Sequence, residues 1–285
     1  MFPGYVSLIH KCANLPRFQI TKMRGASMTK SIGVVCILGL ILAITLPLIA
    51  ADPSFAGTWK LNLSKSQLGG PVYTFEKKPS GVMHYSGGGF DTDFDLAGKE
   101  YTMPNGTSII GKEINPTTWE LTFQLNGKVV SKSKVTLSNN QLAWVSDMIG
   151  ADGKTVQQTS TDTRVSGGPG FVGKWKAGDV KGTATTLKIM LQGANGITLE
   201  TPEAQTVVKA SFDGKDYPFT QAGQATKMTL SVTKTGTNAF TTTLKMNGKP
   251  FSVDVYTISA DGKTITDDST TTATNEKTKS VFDRQ

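Results

Sequence analysis

Three carboxylates, Asp91, Asp93 and Asp95, recur at every second residue. Hard cations are held by several such oxygens converging on one point. A calcium loop of the EF-hand type starting at Asp91 would need glycine where Leu96 stands and an acid where Thr102 stands, so that pattern fails. Phe90, Phe94 and Leu96 alternate with the acids, which makes the carboxylates the solvated side of one strand. Their counterparts in the second half of the chain are Val207, Lys209 and Ser211, and no metal site is assigned.

His84 is the one histidine after residue 51. A hydrolytic triad needs a histidine to shuttle the proton of a nucleophile, and no Gly-x-Ser-x-Gly elbow accompanies it. It reads as a strand histidine with a structural hydrogen bond. Gly87-Gly88-Gly89 is followed by neither a helical pattern nor Gly-Lys-Ser/Thr, so it reads as a hairpin or bulge and not as a phosphate loop. Glu113 with Glu120, or Asp267 with Asp268, could serve as acid and base only if they converged. Nothing in the sequence brings them together, and solvated Thr-rich strands are the expectation. No catalytic residue and no cofactor is assigned, and the chain is not read as an enzyme.

Charge narrows the partners. Of the net charge of +8, +5 comes from Lys11, Arg17, Lys22, Arg24 and Lys30, in a leader, residues 1–51, that contains no acid. The remainder mixes both signs and has no basic run with interleaved aromatics, which argues against a nucleic-acid partner. The leader continues into an uncharged stretch from Ser31 to Ala51, with Pro47 and Ala50-Ala51 before the polar Asp52-Pro53-Ser54. This is the pattern of a signal peptide cut after Ala51. The apolar run is also long enough for an uncleaved anchor, the only route by which a membrane enters. Translation from Met1 or from Met28 fits either. The expected location is extracytoplasmic, periplasmic or secreted. Cys12 and Cys36 both lie in the leader, so the mature chain would have no disulfide or thiolate chemistry.

Beyond residue 51, period-2 alternation bounded by Asn-Gly and Asp-Gly recurs, the mark of short antiparallel strands joined by tight hairpins. The alternation also repeats. Trp119, Leu121, Phe123 and Leu125 run into Asn126-Gly127-Lys128, and Phe240, Thr242, Leu244 and Met246 run into Asn247-Gly248-Lys249. Phe55-Ala-Gly-Thr-Trp-Lys60 returns as Phe171-Val-Gly-Lys-Trp-Lys176. The chain is therefore read as all-β, with a first unit at 52–165, a linker at 166–170 and a second unit at 171–285, each of roughly eight to ten strands. Closure into up-and-down barrels or packing as two sheets would hide the apolar faces. A tandem of immunoglobulin-like sandwiches is the alternative.

Each unit opens with Gly-x-Trp, at Gly57 to Trp59 and Gly173 to Trp175, and ends in an arginine, Arg164 and Arg284. This resembles the lipocalin and wider calycin pattern, in which a late arginine packs across the tryptophan at the closed end of a barrel. The resemblance implies two tandem lipocalin-like antiparallel barrels, with Trp59 on Arg164 and Trp175 on Arg284 as structural plugs. The usual helix after the last strand and the common cysteines of that family are missing. The phrase GTWKLNLSKS, Gly57 to Ser66, is also similar to the opening of bacterial secreted proteins.

Inward positions would include Phe94, Trp119, Leu121, Phe123, Phe212, Phe240, Leu244 and Met246. They either fill the interiors or line a cavity for a small hydrophobic molecule. Two functions follow: a secreted or periplasmic binding protein for such a ligand, or a non-catalytic module of the cell envelope with filled cores and a Thr-rich surface, as at Thr264 to Thr278.

Overall fold

A computed structural model describes residues 54–285 except Gly69, Ala151, Asp179 and 183–185. The leader, with its signal or anchor segment and both cysteines, lies outside the described residues. The described chain is all-β and forms two antiparallel ten-stranded barrel-like sheets.

The strands follow one another as β1 (Gly57–Leu61), β2 (Val72–Lys77), β3 (Met83–Gly87), β4 (Phe90–Phe94), β5 (Ala97–Thr102), β6 (Thr107–Asn115), β7 (Thr118–Leu125), β8 (Lys128–Ser138), β9 (Gln141–Ile149) and β10 (Thr155–Ser166). The second half adds β11 (Gly173–Lys176), β12 (Thr186–Gln192), β13 (Gly196–Thr201), β14 (Thr206–Ser211), β15 (Asp216–Gln221), β16 (Gln224–Lys234), β17 (Ala239–Met246), β18 (Lys249–Ile258), β19 (Thr264–Thr271) and β20 (Lys277–Arg284). Tight turns set the registers. Asn126-Gly127 and Asn247-Gly248 have positive φ at both residues (51° and 77°, 51° and 74°), the twist that two-residue hairpins require. Each pairs the flanking strands so that the bulky face of β7, and of β17, turns inward.

The sheets are not made of contiguous halves. β1 pairs with β12 and β20, closing the second barrel, whereas β11 pairs with β10 and β2 in the first. The expected plugs are therefore exchanged. The Arg284 guanidinium lies 4.1 Å from the centre of the Trp59 ring, and Arg164 lies 4.0 Å from that of Trp175. The reason is chain length: only Gly167 to Val172 separates β10 from β11, so β11 folds back beside β10 as the next strand of the same meander. That leaves the second ring one strand short, and β1 fills the place.

Each plug is built the same way. Trp59 Nε1 donates to Phe55 O at 2.9 Å and Trp175 Nε1 to Phe171 O at 2.8 Å. Arg284 donates to the carbonyls of Gly262, Ala56 and Ser54. Arg164 donates to Asn140 Oδ1 and to the carbonyls of Val172 and Gly170. A cation over an indole contributes about 1 kcal/mol, and each hydrogen bond about as much again. Together they tie a terminal arginine to the strand that enters the ring.

The chain crosses between sheets twice, between β1 and β2 and between β11 and β12, and the crossings touch where Ala177 N donates to Pro71 O at 3.0 Å. A Cβ on Gly70 would lie 2.0 Å from Ala177 O, so glycine alone lets the two backbones pass. The first sheet runs from β4 round to β5 without a ladder between them, leaving a seam, while the second is a closed barrel.

Strand exchange makes a covalent prediction. With Cys12 and Cys36 replaced by serine, the pair Lys60→Cys and Asp283→Cys should form an intrachain disulfide on mild oxidation, because these positions are Cα partners within bridging reach. Lys60→Cys with Thr163→Cys should not. Peptide mapping of the oxidised chains reads the outcome, and the reverse result would restore contiguous barrels.

Candidate functional site

The two interiors differ layer by layer. In the first barrel one rung of inward residues runs Trp119, Val135, Trp144, Ser160. The register-equivalent rung of the second runs Phe240, Tyr256, Asp267, Ser280. The next rung is Leu121, Ser133, Ser146, Gln158 in the first barrel and Thr242, Asp254, Ser269, Thr278 in the second. The second barrel thus carries Asp for Trp144, Thr for Leu121 and Leu for Phe123. Tyr256 for Val135 goes the other way but does not replace an indole.

Burial follows from those volumes. Phe94, Trp119, Leu121 and Phe123 are all buried in one cluster with Phe75, Tyr85, Val135 and Trp144. Phe75 packs edge-on to Trp119 at 5.4 Å, and Trp119 stacks on Phe171 at 3.7 Å. In the second barrel Phe240 is buried, but Leu199, Phe212, Tyr217, Phe219, Leu244, Tyr256 and Phe282 all keep accessible surface while packing on the core.

Tyr256 and Leu244 lie within their strands and share the inward register of Thr242 and Asp254. In a closed ring of strands, surface that remains on such residues faces a lumen. Tyr256 is surrounded by protein, and desolvation first, then the charges of Asp267 and Asp254, raise its hydroxyl well above the usual tyrosine value. Enclosed yet accessible, Tyr256 is a candidate for the wall of an internal chamber. Met246, expected among the inward residues of this barrel, packs instead against the core of the first, as do Ala222 and Phe251. The hairpin it closes abuts the first barrel, where Phe251 meets Phe90 at 5.3 Å and Asn247 Nδ2 donates to Pro104 O at 2.5 Å.

Two carboxyls stand on the chamber wall. Asp254 accepts from Ser252 at 3.0 Å, Thr242 at 3.2 Å and Ser269. Burial nevertheless outweighs those hydroxyls and raises its pKa. Asp267 is hydrogen-bonded to Tyr256, and burial, then the charge of Asp254, holds its carboxyl well above the usual range. Its Oδ1 is out of reach of solvent and has no hydrogen-bond partner. An acceptor left so costs about 1–3 kcal/mol, and more when charged, which favours the protonated acid. Among the described residues neither carboxyl has an ion-pair partner.

The first barrel shows the contrast. Its buried acid, Asp162, accepts from Tyr73 Oη at 2.5 Å, Gly178 N at 3.0 Å and Ser160 at 3.4 Å. It is committed to pinning the crossing segment. Phe282 takes its place in the second barrel, since Asp162 and Phe282 each lie two residues before the plug arginine.

The sequence reading puts Asp267 and Asp268 together on a solvated strand, and the structure corrects it for Asp267. The ladder turns Asp267 inward and leaves Asp268 exposed. The signal was present: alternation carried back from Ile258 reaches Tyr256 and Asp254, and carried forward from Ile265 reaches Asp267.

The acidic strand lies where alternation put it, with Asp91 exposed and Phe90, Thr92 and Phe94 buried on the other face. His84 Nδ1 is 2.7 Å from Asp93 and Nε2 is 3.5 Å from Asp91. The contact with Asp93 is the structural hydrogen bond expected of a strand histidine. Lys78 completes the cluster at 2.7 Å from Asp93, and the hydrogen bonds from Lys78 and His84 lower the Asp93 pKa. Asp95 turns away, accepting from Ala97 N, Lys99 N and Tyr101 Oη. Lys78, His84, Asp91, Asp93 and Tyr101 border an open groove of about 450 Å³. Gly88 and Gly89 form the two-residue turn between β3 and β4 with φ of 55° and 79°. Glu113 and Glu120 do not converge, since Glu113 is opposite Trp119 and Glu120 opposite Lys112.

Comparison with known proteins gives no match: no family model fits the chain, and no curated protein sequence is significantly similar to it.

The raised carboxyls carry a sign. A group whose folded pKa exceeds its unfolded value adds stability below the unfolded value, near pH 4, and loses it as pH rises through the folded value. In ligand-extracted protein, Asp267→Asn should therefore gain thermal stability relative to wild type as pH rises from 4.5 to 7.5. An offset independent of pH would mean that Asp267 is not held protonated.

Proposed function

We propose that this chain is a non-catalytic, lipocalin-like binding protein acting outside the cytoplasm, with the lumen of the second barrel as its ligand chamber. The first barrel serves as a packed support. The observation that carries the reading is the contrast at four equivalent positions: Phe123, Val135, Trp144 and Asp162 are buried in one barrel, whereas Leu244, Tyr256, Asp267 and Phe282 keep accessible surface in the other. Binding of this kind is transfer of an apolar body from water into a preformed cavity, at about 25 cal/mol per Å² of apolar surface removed from water. Aromatic walls set the shape. The plug made by Trp59 and Arg284 closes one end and takes no part in ligand contact.

The neutral dye N-phenyl-1-naphthylamine provides the test. Wild-type protein should bind it saturably, at one site, with a blue-shifted emission. Asp267→Trp, which rebuilds the rung of the first barrel, should abolish the signal, and Leu244→Phe should weaken it about tenfold or more by occupying lumen volume. Phe123→Leu, in the packed barrel, should leave it unchanged. A wild-type protein that binds no dye and is instead retained on cell-wall material would be the envelope module with filled cores.

A further inference from the structure

We propose that the open seam of the first barrel takes an extended peptide as an added strand, paired to the free edge of β4, with a lysine or arginine of the peptide opposite Asp91. The inference concerns the first barrel and does not depend on the chamber reading of the second.

The seam comes from a short hairpin. Seven residues lie between Tyr101 and its partner Ile109, whereas twelve lie between the equivalent Tyr217 and its partner Leu230. The extra length in the second barrel carries Thr220 and Gln221 to β14, where they pair with Val207 and Thr206. Three residues after its tyrosine the first barrel has Pro104 in place of Thr220, and the chain is already turning back: Met103 N donates to Thr107 O and Gly106 N to Met103 O. Asp91, the counterpart of Val207, therefore meets no strand on that side. Beside it lies the groove of about 450 Å³, bordered by Asp91, Thr92 and Asp93 of β4 and by Tyr101 and Thr102 of β5. That volume is within the range of ligand sites.

The edge has the groups that pairing needs. In a two-residue hairpin the residues flanking the turn exchange both hydrogen bonds. Here these are Gly87 and Phe90, so the N–H and C=O of Asp91 and Asp93 point away from β3. Among the described residues no main-chain hydrogen bond meets them there, although the Thr92 hydroxyl approaches Asp93 O at 3.5 Å. A row of free donors and acceptors of this kind is what strand addition uses.

Side chains choose the occupant. The charged residues of β4 are both acids. Asp93 is engaged by Lys78 and His84, but the Asp91 side chain is 76% exposed, with His84 Nε2 at 3.5 Å. Lys227 belongs to the other end of the groove, where its N–H donates to Asn105 O. A second copy paired edge to edge would set these acids against each other, which is unfavourable, whereas a basic residue directly opposite Asp91 is favoured. The neighbouring peptide residue turns to the inner face, where Thr92 and Met103 are buried, and is therefore apolar.

Anisotropy of a fluorescein-labelled peptide, Thr-Lys-Val-Lys-Val-Thr, titrated with the full chain tests the proposal. The peptide should bind saturably at one site and slow hydrogen exchange in Phe90–Phe94. Glutamate in place of both lysines should weaken binding about tenfold or more. N-methylation of both lysine amides removes the donors that face β4 but keeps the charge, and it should abolish binding. Asp91→Pro should also abolish it while the protein stays folded, because that N–H serves no ladder and proline is tolerated on a free edge. Asp91→Lys should reverse the preference between the lysine and glutamate peptides. No binding to the wild type, or a methylated peptide that binds as well as its parent, would overturn the inference. Binding that survives Asp91→Pro would place the peptide elsewhere and overturn it equally. A chain that is dimeric, and monomeric as Asp91→Pro, would put a second copy on the edge in place of the peptide. None of these outcomes alters dye binding by the second barrel, so the two readings fail separately.

Discussion

A guanidinium laid across an indole joins residues that lie at opposite ends of this chain, and the fold depends on which partner each arginine takes. Arg284 reaches Trp59 across almost the whole sequence, while Arg164 reaches Trp175 across one short loop. Contact energies do not choose between the partners, since both plugs use the same ring, two equivalent backbone carbonyls just before the Gly-x-Trp and nearly the same distance. Connectivity chooses. The brief loop after β10 makes β11 the continuation of the first meander, and β1 then becomes the only strand left to close the second ring. The two barrels are interlocked through two crossings that touch at Pro71 and Ala177.

Interlocking bears on function because it frees one interior from the duty of folding. The first barrel packs its lumen with Trp119, Trp144, Phe75 and Phe94 and secures its one buried acid with Tyr73 and the crossing backbone. The second is tied to it through the exchanged strands β1 and β11 and carries Phe240, Thr242, Leu244 and Asp267 where the first has Trp119, Leu121, Phe123 and Trp144. Such cavities and unmet acceptors cost stability, and they are tolerated where a neighbouring core holds the strands in place. The pairing of one filled unit with one hollow unit is the physical content of the binding-protein proposal.

Much of this was legible in the sequence. Alternation named the inward face of β7 and β17, Asn-Gly marked their turns, and the doubled Gly-x-Trp with a terminal arginine named both plugs. Which tryptophan meets which arginine was not legible, because alternation is a local property and both pairings satisfy it equally; only the reach of the 167–172 loop separates them. The chamber acids were missed for a different reason. Composition places aspartate at the surface, and that prior overrode the period-2 rule that puts Asp254, Tyr256 and Ile258 on one face. Met246 fell elsewhere because its hairpin abuts the first barrel, a tertiary contact that strand alternation does not report.

The exchange of strands is the claim on which the rest stands, and peptide-resolved hydrogen exchange on two variants tests it most directly. Arg284→Ala should speed exchange in Gly57–Leu61 and leave Gly173–Lys176 near its wild-type protection, and Arg164→Ala should do the reverse. If Arg284→Ala instead exposed Gly173–Lys176 and spared Gly57–Leu61, each arginine would be closing its own half, and the interlocked account would be wrong.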